Sequence, residues 1–381
     1  MILPITAEEL AETLRSLAAQ NRTITVQGAG SKRRMGGEVV ASGETVSLTR
    51  LSRLLQYEPR DLTISVQAGM PWREFTARLA PHRQMVPLDP PFADAATVGG
   101  VVASNCCGPR RRLYGSARDL VIGMRFATLE GKLVDTGGMV VKNVAGLDLA
   151  KLMIGSFGTL AAIASVNFKL IPQPAAERSF LLAFDSPAGA VSARNGITAS
   201  ALEPTALDLL NPTAAAELGN RAWMLAVRAA GNPAAVERYE RELAGFGSGV
   251  AFDGEHQARL WRRIEEFTPQ FLETRPDGAV VRASCTLKEL AAVMERFPGP
   301  ALARAGSGVC YGYFEHGAEA ADWLADAARS GIKAVMEFGP EARAHLQLWP
   351  APAGDLELMR RVKHLFDPSG LLNRGRLYQR I

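Results

Sequence analysis

The chain has 381 residues, of which 47% are hydrophobic and 22% charged, with a formal net charge of +4. That composition excludes a disordered chain, and a length of this order supports about two to three domains. No run of 18 apolar residues occurs, which argues against a membrane-spanning helix, and Met1-Ile2-Leu3-Pro4 does not open a signal peptide. The four cysteines, two of them the adjacent Cys106 and Cys107, are too few for a disulfide scaffold, and the expectation is a reducing, cytoplasmic location. Charge is unevenly spread: residues 1–174 carry net +6, residues 175–354 net −5, and residues 355–381 net +3. A mildly basic front suits a phosphorylated cofactor or a small acid. It lacks the concentrated patch that nucleic acid requires.

In chain order, Thr6-Ala7-Glu8-Glu9 is a capping box, followed by Leu10, Leu14 and Leu17 on one helical face, predicting a helix to about Gln20. Thr23 to Val26 predicts a strand running into Gly28-Ala29-Gly30-Ser31-Lys32. Thr45 to Leu48 and Leu62 to Gln67 predict further strands, and Pro71 suits the first turn of a helix carrying Trp72, Phe75 and Leu79. From Gly99 to Gly158 there are eleven glycines in 60 residues, a density typical of turns or of backbone lying close to a ligand. Glu130-Gly131-Lys132 predicts a hairpin turn, Leu147 to Ile154 a short helix, and Leu160 to Leu170 a strand ended by Ile171-Pro172-Gln173-Pro174. Beyond that boundary the chain is Ala-rich and acidic, with helical runs at 232–244, 255–266 and 318–330. Leu346 to Trp349 reads as a closing strand, and Pro350-Ala351-Pro352 as a second boundary before a helix from Asp355 to Phe366.

Three segments invite a cofactor. Gly28 to Lys32 fails as a Rossmann fingerprint because Arg33 stands where the third glycine belongs, and no Gly-Lys-Ser/Thr exists for a Walker loop. What remains is a strand feeding a glycine loop whose N–H groups, with Ser31 and Lys32, can converge on an anion. Thr97-Val98-Gly99-Gly100, continuing to Ser104 and Asn105, offers backbone that a planar ligand can approach, and Gly155-Ser156-Phe157-Gly158-Thr159-Leu160 is the third. Taken singly, each is also the sequence of an ordinary turn, a tightly packed helix start or a helix C-cap.

In order, they carry a resemblance. With Pro87-Leu88-Asp89-Pro90, Gly108, Tyr114-Gly115, Arg118-Asp119, Gly137-Gly138, Lys142, Gly146 to Leu149, Phe168 to Pro172 and the tail Phe366 to Asn373, the chain resembles the vanillyl-alcohol oxidase / para-cresol methylhydroxylase (PCMH) flavoproteins. More narrowly, Gly108 to Arg111, Val140 to Gly146 and Leu371 to Arg376 are similar to the FAD-binding E subunits of bacterial glycolate oxidases, although Leu147 stands where a Tyr is expected. The likeness is close over 1–174 and 355–381 and loose between them.

The resemblance implies an α+β fold. A two-subdomain PCMH-type FAD-binding domain would span 1–174, split near 50–60. An inserted α+β cap would follow at 175–352, and a segment at 353–381 would return to the first domain. It implies that Gly28, Ala29, Gly30, Ser31 and Lys32 cradle the FAD pyrophosphate. Pro90, Thr97, Val98, Gly99, Gly100, Ser104, Asn105, Gly108, Tyr114, Gly115, Arg118 and Asp119 would line the flavin and ribityl chain. Gly158 and Ile163 would pass the adenine side, and Asn373 would return towards the ring. The expected FAD is non-covalent, since the usual histidyl or cysteinyl linkage motifs are not apparent. The implied partners are a catalytic flavoprotein subunit and an iron–sulfur subunit, with a small 2-hydroxy-acid substrate and only indirect membrane contact through the complex, at the inner face of the cell membrane.

Metal-ligand spacings are absent: there is no Cys-x-x-Cys, and no two His lie within four residues. Oxidising a 2-hydroxy acid requires a carboxylate clamp and a base for the hydroxyl proton. Arg282, in the strand-like Ala279-Val280-Val281-Arg282, is the candidate clamp, and His316 the candidate base. Each also reads as an ordinary surface residue. The expected activity is an FAD-dependent redox subunit of a 2-hydroxy-acid dehydrogenase that acts on glycolate or D-lactate. A non-catalytic FAD-binding assembly subunit and a stand-alone flavin oxidase are the alternatives.

Overall fold

The computed structural model describes residues 1–39, 43–139, 148–351, 354–378 and 381. Lys142, Gly146, Leu147 and Pro352 of the sequence reading lie outside them. The chain divides into two compact units: 1–107, 115–173 and 351–381 form the first, and 108–114 with 174–350 form the second.

The first unit opens with α1 (Ala7–Ala19), whose N-cap Thr6 accepts from the Glu9 N–H. Glu9 reaches back one residue further than a standard capping box, to the Ile5 N–H at 2.8 Å. Leu10, Leu14 and Leu17 are buried, each worth about 1.5–3 kcal/mol against exposure. Strands β1 (Ile24–Gln27) and β2 (Glu44–Ser47) pair in parallel. Then come β3 (Leu54–Glu58), β4 (Thr63–Gln67), α2 (Trp72–Leu79), β5 (Gln84–Met85) and α3 (Val98–Ser104). Pro71 is the N-cap of α2 rather than part of its first turn.

After α4 (Arg111–Tyr114) the first unit resumes with α5 (Ala117–Leu120), β6 (Val121–Ala127), β7 (Leu133–Gly137), α6 (Ala150–Met153), β8 (Ala162–Lys169) and β9 (Ile171–Pro172). A five-stranded antiparallel sheet runs β3-β4-β8-β6-β7, and β5 pairs with β9. Of the predicted helix at 147–154, the described residues 148–154 keep the one turn of α6. The strands β3, β5 and β9 had no clear sequence signal. β3 alternates poorly and lies at a sheet edge, and the other two are two residues long.

The second unit contains β10 (Ala176–Phe184), α7 (Pro187–Ala199), β11 (Ala206–Leu210), α8 (Pro212–Ala216), β12 (Trp223–Gly231), α9 (Pro233–Leu243), β13 (Gly249–Phe252), α10 (Gly254–Glu265) and α11 (Phe267–Glu273). It continues through β14 (Ala279–Ser284), α12 (Leu290–Glu295), β15 (Ala301–Arg304), β16 (Val309–Phe314), α13 (Gly317–Arg329) and β17 (Lys333–Phe338). Three helices start alike: Ser186, Asn211 and Asn232 cap α7, α8 and α9, and each is followed by Pro, whose missing N–H costs nothing at a helix start.

The eight strands form one antiparallel sheet, β13-β10-β12-β11-β15-β16-β14-β17. Alternation assigns its faces. Leu207 and Leu209, Ala301 and Ala303, Ala279, Val281 and Ala283, and Met336 pack in a core with Ala190, Ile197, Leu243, Leu290 and Ala320 of the helices. The opposite face takes the intervening residues.

Leu346 to Trp349 is not a strand. It meets β17 through a backbone bond, Met336 N–H to the Leu348 carbonyl at 2.8 Å, without forming a ladder. Gly108 to Tyr114, expected in the front domain, groups with the second unit because Arg112 donates to the Pro204 carbonyl at 2.7 Å. The tail helix α14 (Asp355–Phe366) belongs to the first unit. No described helix is long and apolar enough to cross a membrane.

Candidate functional site

In the first unit, glycine-bearing segments distant in sequence close into a ring of contacts. β1 leads into the Gly28 loop. A Cβ on Gly28 would lie 2.1 Å from Thr97 Oγ1, so only glycine fits between that loop and the start of α3. Thr97 caps α3 by accepting from the Gly100 N–H at 3.3 Å. At the other end of α3, the Gly155 and Phe157 N–H groups donate to the Val102 and Ala103 carbonyls at 3.2 and 2.8 Å. Asn373 then joins this segment to β1: its Nδ2 donates to Phe157 O at 2.7 Å, and its Oδ1 accepts from the Val26 N–H at 2.8 Å. Gly28, Thr97 to Asn105, the 155–158 turn and Asn373 are therefore brought together.

The tail is held by two devices. Lys363 is buried, and its Nζ donates to Asp367 Oδ2 at 2.6 Å and to the Thr159 and Leu372 carbonyls at 2.7 and 3.0 Å. Asp367 also accepts from the Leu371 and Leu372 N–H groups. Burial pulls the Lys363 ammonium below its ordinary range, against the opposing pull of Asp367. Arg376 donates to the carbonyls of Lys32, Arg33 and Gly37, fixing the loop after Ser31.

The ring fits an FAD. Gly30 has φ +73°, with nothing nearer a built Cβ than Gln27 Oε1 at 3.6 Å, so the loop is open on that side. Lys32 is 8% exposed and holds its ammonium 5.8 Å from the Phe92 ring centroid. Asn105, in the left-handed region at φ +50°, has a buried Oδ1 with no hydrogen-bond partner. Such an acceptor costs about 1–3 kcal/mol unless a donor reaches it, and an isoalloxazine N–H or a ribityl hydroxyl is a donor of the right kind.

Other expected ligands have structural duties. Ser104 Oγ donates to the Gly100 carbonyl at 2.6 Å. Val98 and Ile163 lie in the apolar core of the five-stranded sheet, and Pro90 is buried. Ala29 is exposed, and Ser31 is half-buried. Gly108 and Tyr114 belong to the second unit. Arg118 is exposed and donates to the Lys151 carbonyl at 2.6 Å. Gly115 and Asp119 sit together, and Asp119 closes the capping box of α5 by accepting from the Ser116 N–H at 2.8 Å.

That bond holds the Asp119 carboxyl below its ordinary value. Its contribution is present above the unfolded carboxylate pKa and is lost as pH falls through the lower folded value. Asp119→Ala is expected to cost about 1 kcal/mol at neutral pH and progressively less under acid, read by denaturant melts across pH. An equal loss at all pH values would contradict this assignment.

In the second unit, the sheet face opposite α7, α9, α12 and α13, on which α10 and α11 pack, carries a cluster of charged and tyrosine side chains. Arg282 on β14 faces Tyr311 across the ladder, and its Nε lies 3.2 Å from Glu337 Oε1 on β17. Arg304 pairs with the fully buried Asp208 and lies 5.6 Å from the Tyr311 ring centroid. Tyr313 shares a hydrogen bond with Thr268 at 2.9 Å. Burial pushes the Glu337 carboxyl up, opposed by Arg282, Arg304 and Arg111.

His316 is not part of this group. It stands two residues beyond β16, 62% exposed, paired with Asp277 at 2.8 Å, which raises its pKa. Sequence reading missed Glu337, Arg304, Tyr311 and Asp208. The available signal was period-two alternation, which sets Val335 and Glu337 against the core residues Ala334 and Met336.

Comparison with known proteins agrees with the cofactor reading. The FAD binding domain family matches residues 1–137, and the C-terminal domain of FAD linked oxidases matches residues 350–377. The chain is 37% identical over 174 residues to the glycolate oxidase subunit GlcE of Escherichia coli, covering 45% of this chain and 49% of that one. It is 29% identical over 212 residues to glycolate oxidase subunit GlcD of Bacillus subtilis, covering 55% and 45%. A D-2-hydroxyglutarate dehydrogenase of Xanthomonas citri is 35% identical over 185 residues, covering 48% and 39%. The chain thus spans about half or less of the length of these relatives.

Among solved structures, a 4-ethylphenol oxidase from Gulosibacter chungangensis matches with a TM-score of 0.74 at 13% identity, covering 100% of this chain and 89% of that one. An alkyldihydroxyacetonephosphate synthase matches with a TM-score of 0.71 at 19% identity, covering 97% and 76%. The chain thus matches the FAD binding domain family over residues 1–137 and the C-terminal domain of FAD linked oxidases over residues 350–377, and it shares the fold of these solved structures.

Proposed function

We propose that this chain is the FAD-bearing redox subunit of a multi-subunit 2-hydroxy-acid dehydrogenase, acting on glycolate or D-lactate and passing electrons to an iron–sulfur partner. The observation that carries the reading is the glycine ring with its orphaned Asn105 acceptor, in a chain that is 37% identical over 174 residues to a glycolate oxidase subunit. A catalytic flavoprotein subunit would complete the assembly, and any contact with the inner face of a membrane would run through the partners.

FAD, held non-covalently, supplies the acceptor for the two electrons of a C–H bond next to the hydroxyl. In this reading Gly28 to Lys32 hold the pyrophosphate through backbone N–H groups and the Lys32 charge. Thr97 to Asn105 line the flavin, and Asn373 fixes the ring of segments. Covalent attachment at Cys106 is disfavoured: its thiol is buried, accepts from Ser104 at 3.2 Å and contacts Met35 Sδ at 3.7 Å.

On the polar sheet face, Arg282 holds the substrate carboxylate. Glu337, 3.2 Å from it, is better placed to take the hydroxyl proton than the exposed His316. Arg282→Ala is expected to raise KM for glycolate about 10- to 100-fold without loss of FAD, the value of one charge-assisted bond. Glu337→Gln should lower kcat, and His316→Gln should leave it unchanged; the reverse pattern would return the proton to His316.

Anaerobic addition of glycolate or D-lactate, to the chain alone and to the reconstituted complex, tests the whole reading. Bleaching of this chain's flavin supports it. A flavin that stays oxidised in the complete, turning-over complex would instead favour the non-catalytic assembly subunit. Bleaching with full turnover by the chain alone would favour a stand-alone oxidase.

A further inference from the structure

We propose that Cys285 and Cys310 form an oxidisable dithiol in which a hydroperoxide attacks Cys285 and Cys310 resolves the product to a disulfide. This modification site does not depend on the flavin reading. In the β14–β16 ladder, Ala283 lies opposite Cys310 and Ser284 opposite Val309. Cys285 continues the ladder one residue past β14, its N–H donating to the Gly308 carbonyl at 2.9 Å. Both side chains therefore fall on the face that packs against α7, α12 and α13, diagonally across two strands, with their sulfurs 4.0 Å apart. A disulfide bond is about 2.05 Å long, so roughly 2 Å must close. The end of a strand, next to a glycine turn, is where the chain can yield by that much. Cys285 is half-buried and reachable, whereas Cys310 is fully buried.

Arg194 is the second observation. This α7 side chain is fully buried. Its Nη1 and Nη2 donate to the Ala305 and Leu287 carbonyls at 3.2 and 2.6 Å, and its Nε has no partner. No described carboxylate pairs with it. A buried guanidinium without a counter-ion is costly, and the Leu287 bond anchors it two residues from Cys285. A thiolate at Cys285 is the nearby anion that offsets the cost. Consistent with this, hydrogen bonding from Cys310 holds the Cys285 thiol below its ordinary value, with Arg194 adding to the effect and burial and Glu289 opposing it. Cys310 is pushed up and stays protonated.

The chemistry balances. Cys285 thiolate attacks one oxygen of the peroxide, the O–O bond breaks, and the departing hydroxide takes a proton to give water and a sulfenic acid. The Cys310 sulfur attacks the Cys285 sulfur and expels a second water. Two thiols are oxidised by two electrons, and one peroxide is reduced.

The test exposes the purified full chain to hydrogen peroxide and follows each cysteine by iodoacetamide labelling and mass spectrometry. Cys285 and Cys310 should lose labelling together, with a linked peptide pair lighter by two hydrogens and restored by dithiothreitol, while the buried Cys106 persists. In Cys310→Ala, dimedone should trap a sulfenic acid on Cys285. Arg194→Lys should slow the Cys285 reaction several-fold. Should that variant fail to fold, the rate of Cys285 alkylation against pH in the unaltered chain reads the same effect, and it should exceed the rates at the other three cysteines near neutral pH. Cys285 remaining fully alkylatable while Cys106 or Cys107 is oxidised would overturn the proposal, as would oxidation of Cys285 to the sulfinic acid with Cys310 still free.

Discussion

Gly30→Asp is expected to give a folded chain that has lost its FAD. Gly30 sits in the left-handed region at φ +73°, which Asp tolerates better than most residues, at a cost of about 1–2 kcal/mol. A built Cβ there meets nothing closer than Gln27 Oε1 at 3.6 Å, so the substitution causes no collision. Its carboxylate would stand where the proposed pyrophosphate lies, converting a site for a dianion into one that repels it. Two like charges about 4 Å apart, at an effective dielectric near 20, repel by about 4 kcal/mol, a thousandfold loss of affinity. Gly28→Ala is a poorer probe: its Cβ would strike Thr97 Oγ1, so lost cofactor would not be separable from a distorted α3. Retained FAD at the usual stoichiometry in Gly30→Asp would remove this loop from the site.

Lys363→Met is expected to produce the largest loss of stability, about 3–5 kcal/mol, the usual cost of stripping one member from a buried ion pair. The Lys363 ammonium gathers Asp367, Thr159 and Leu372 into one knot, and the substitution leaves the Asp367 carboxylate buried with only backbone donors. Because Leu372 bridges to Ile24 and Asn373 bonds β1 and Phe157, loosening the knot should also weaken FAD retention. A thermal melt with FAD release recorded on the same sample checks both. Replacing both partners, as Lys363→Met with Asp367→Leu, should recover part of the stability, since no lone charge remains. An unchanged midpoint in the single variant would show that the tail is held elsewhere.

Much of the first unit was legible because local chemistry and tertiary role coincide there. Thr6 caps where a capping residue stands, Leu10, Leu14 and Leu17 bury together, and the Asp355 to Phe366 helix keeps its predicted bounds. The Gly28 loop was legible as a glycine turn following a strand, but what it packs against was not. That Thr97 is the wall against Gly28, and Asn373 the tie between β1 and the 155–158 turn, depends on contacts spanning tens to hundreds of residues, which no local pattern records.

Tyr114 and Gly108 were assigned by order in the chain, and their short segment instead packs with the second unit, through a neighbouring arginine bonded to Pro204. Leu346 to Trp349 had strand-like residues and lies against the edge strand β17, with Met336 bonded to Leu348, but does not extend into a ladder. In the second unit Arg282 was visible as a charge interrupting an apolar strand. Its neighbours Glu337, Arg304 and Tyr311 came together only when four strands were laid side by side in register.

The central claim is that this chain carries FAD in the glycine ring. It is tested most directly by the flavin content of the purified chain, compared with that of an Asn105→Gly variant, which removes the orphaned acceptor and suits the left-handed φ of +50°. The account predicts a yellow protein that releases unmodified FAD on denaturation and a variant with markedly weaker FAD retention but an unchanged melt of the FAD-free form. A colourless chain that takes up no FAD on reconstitution, or a variant that holds FAD as tightly as the parent, would contradict it.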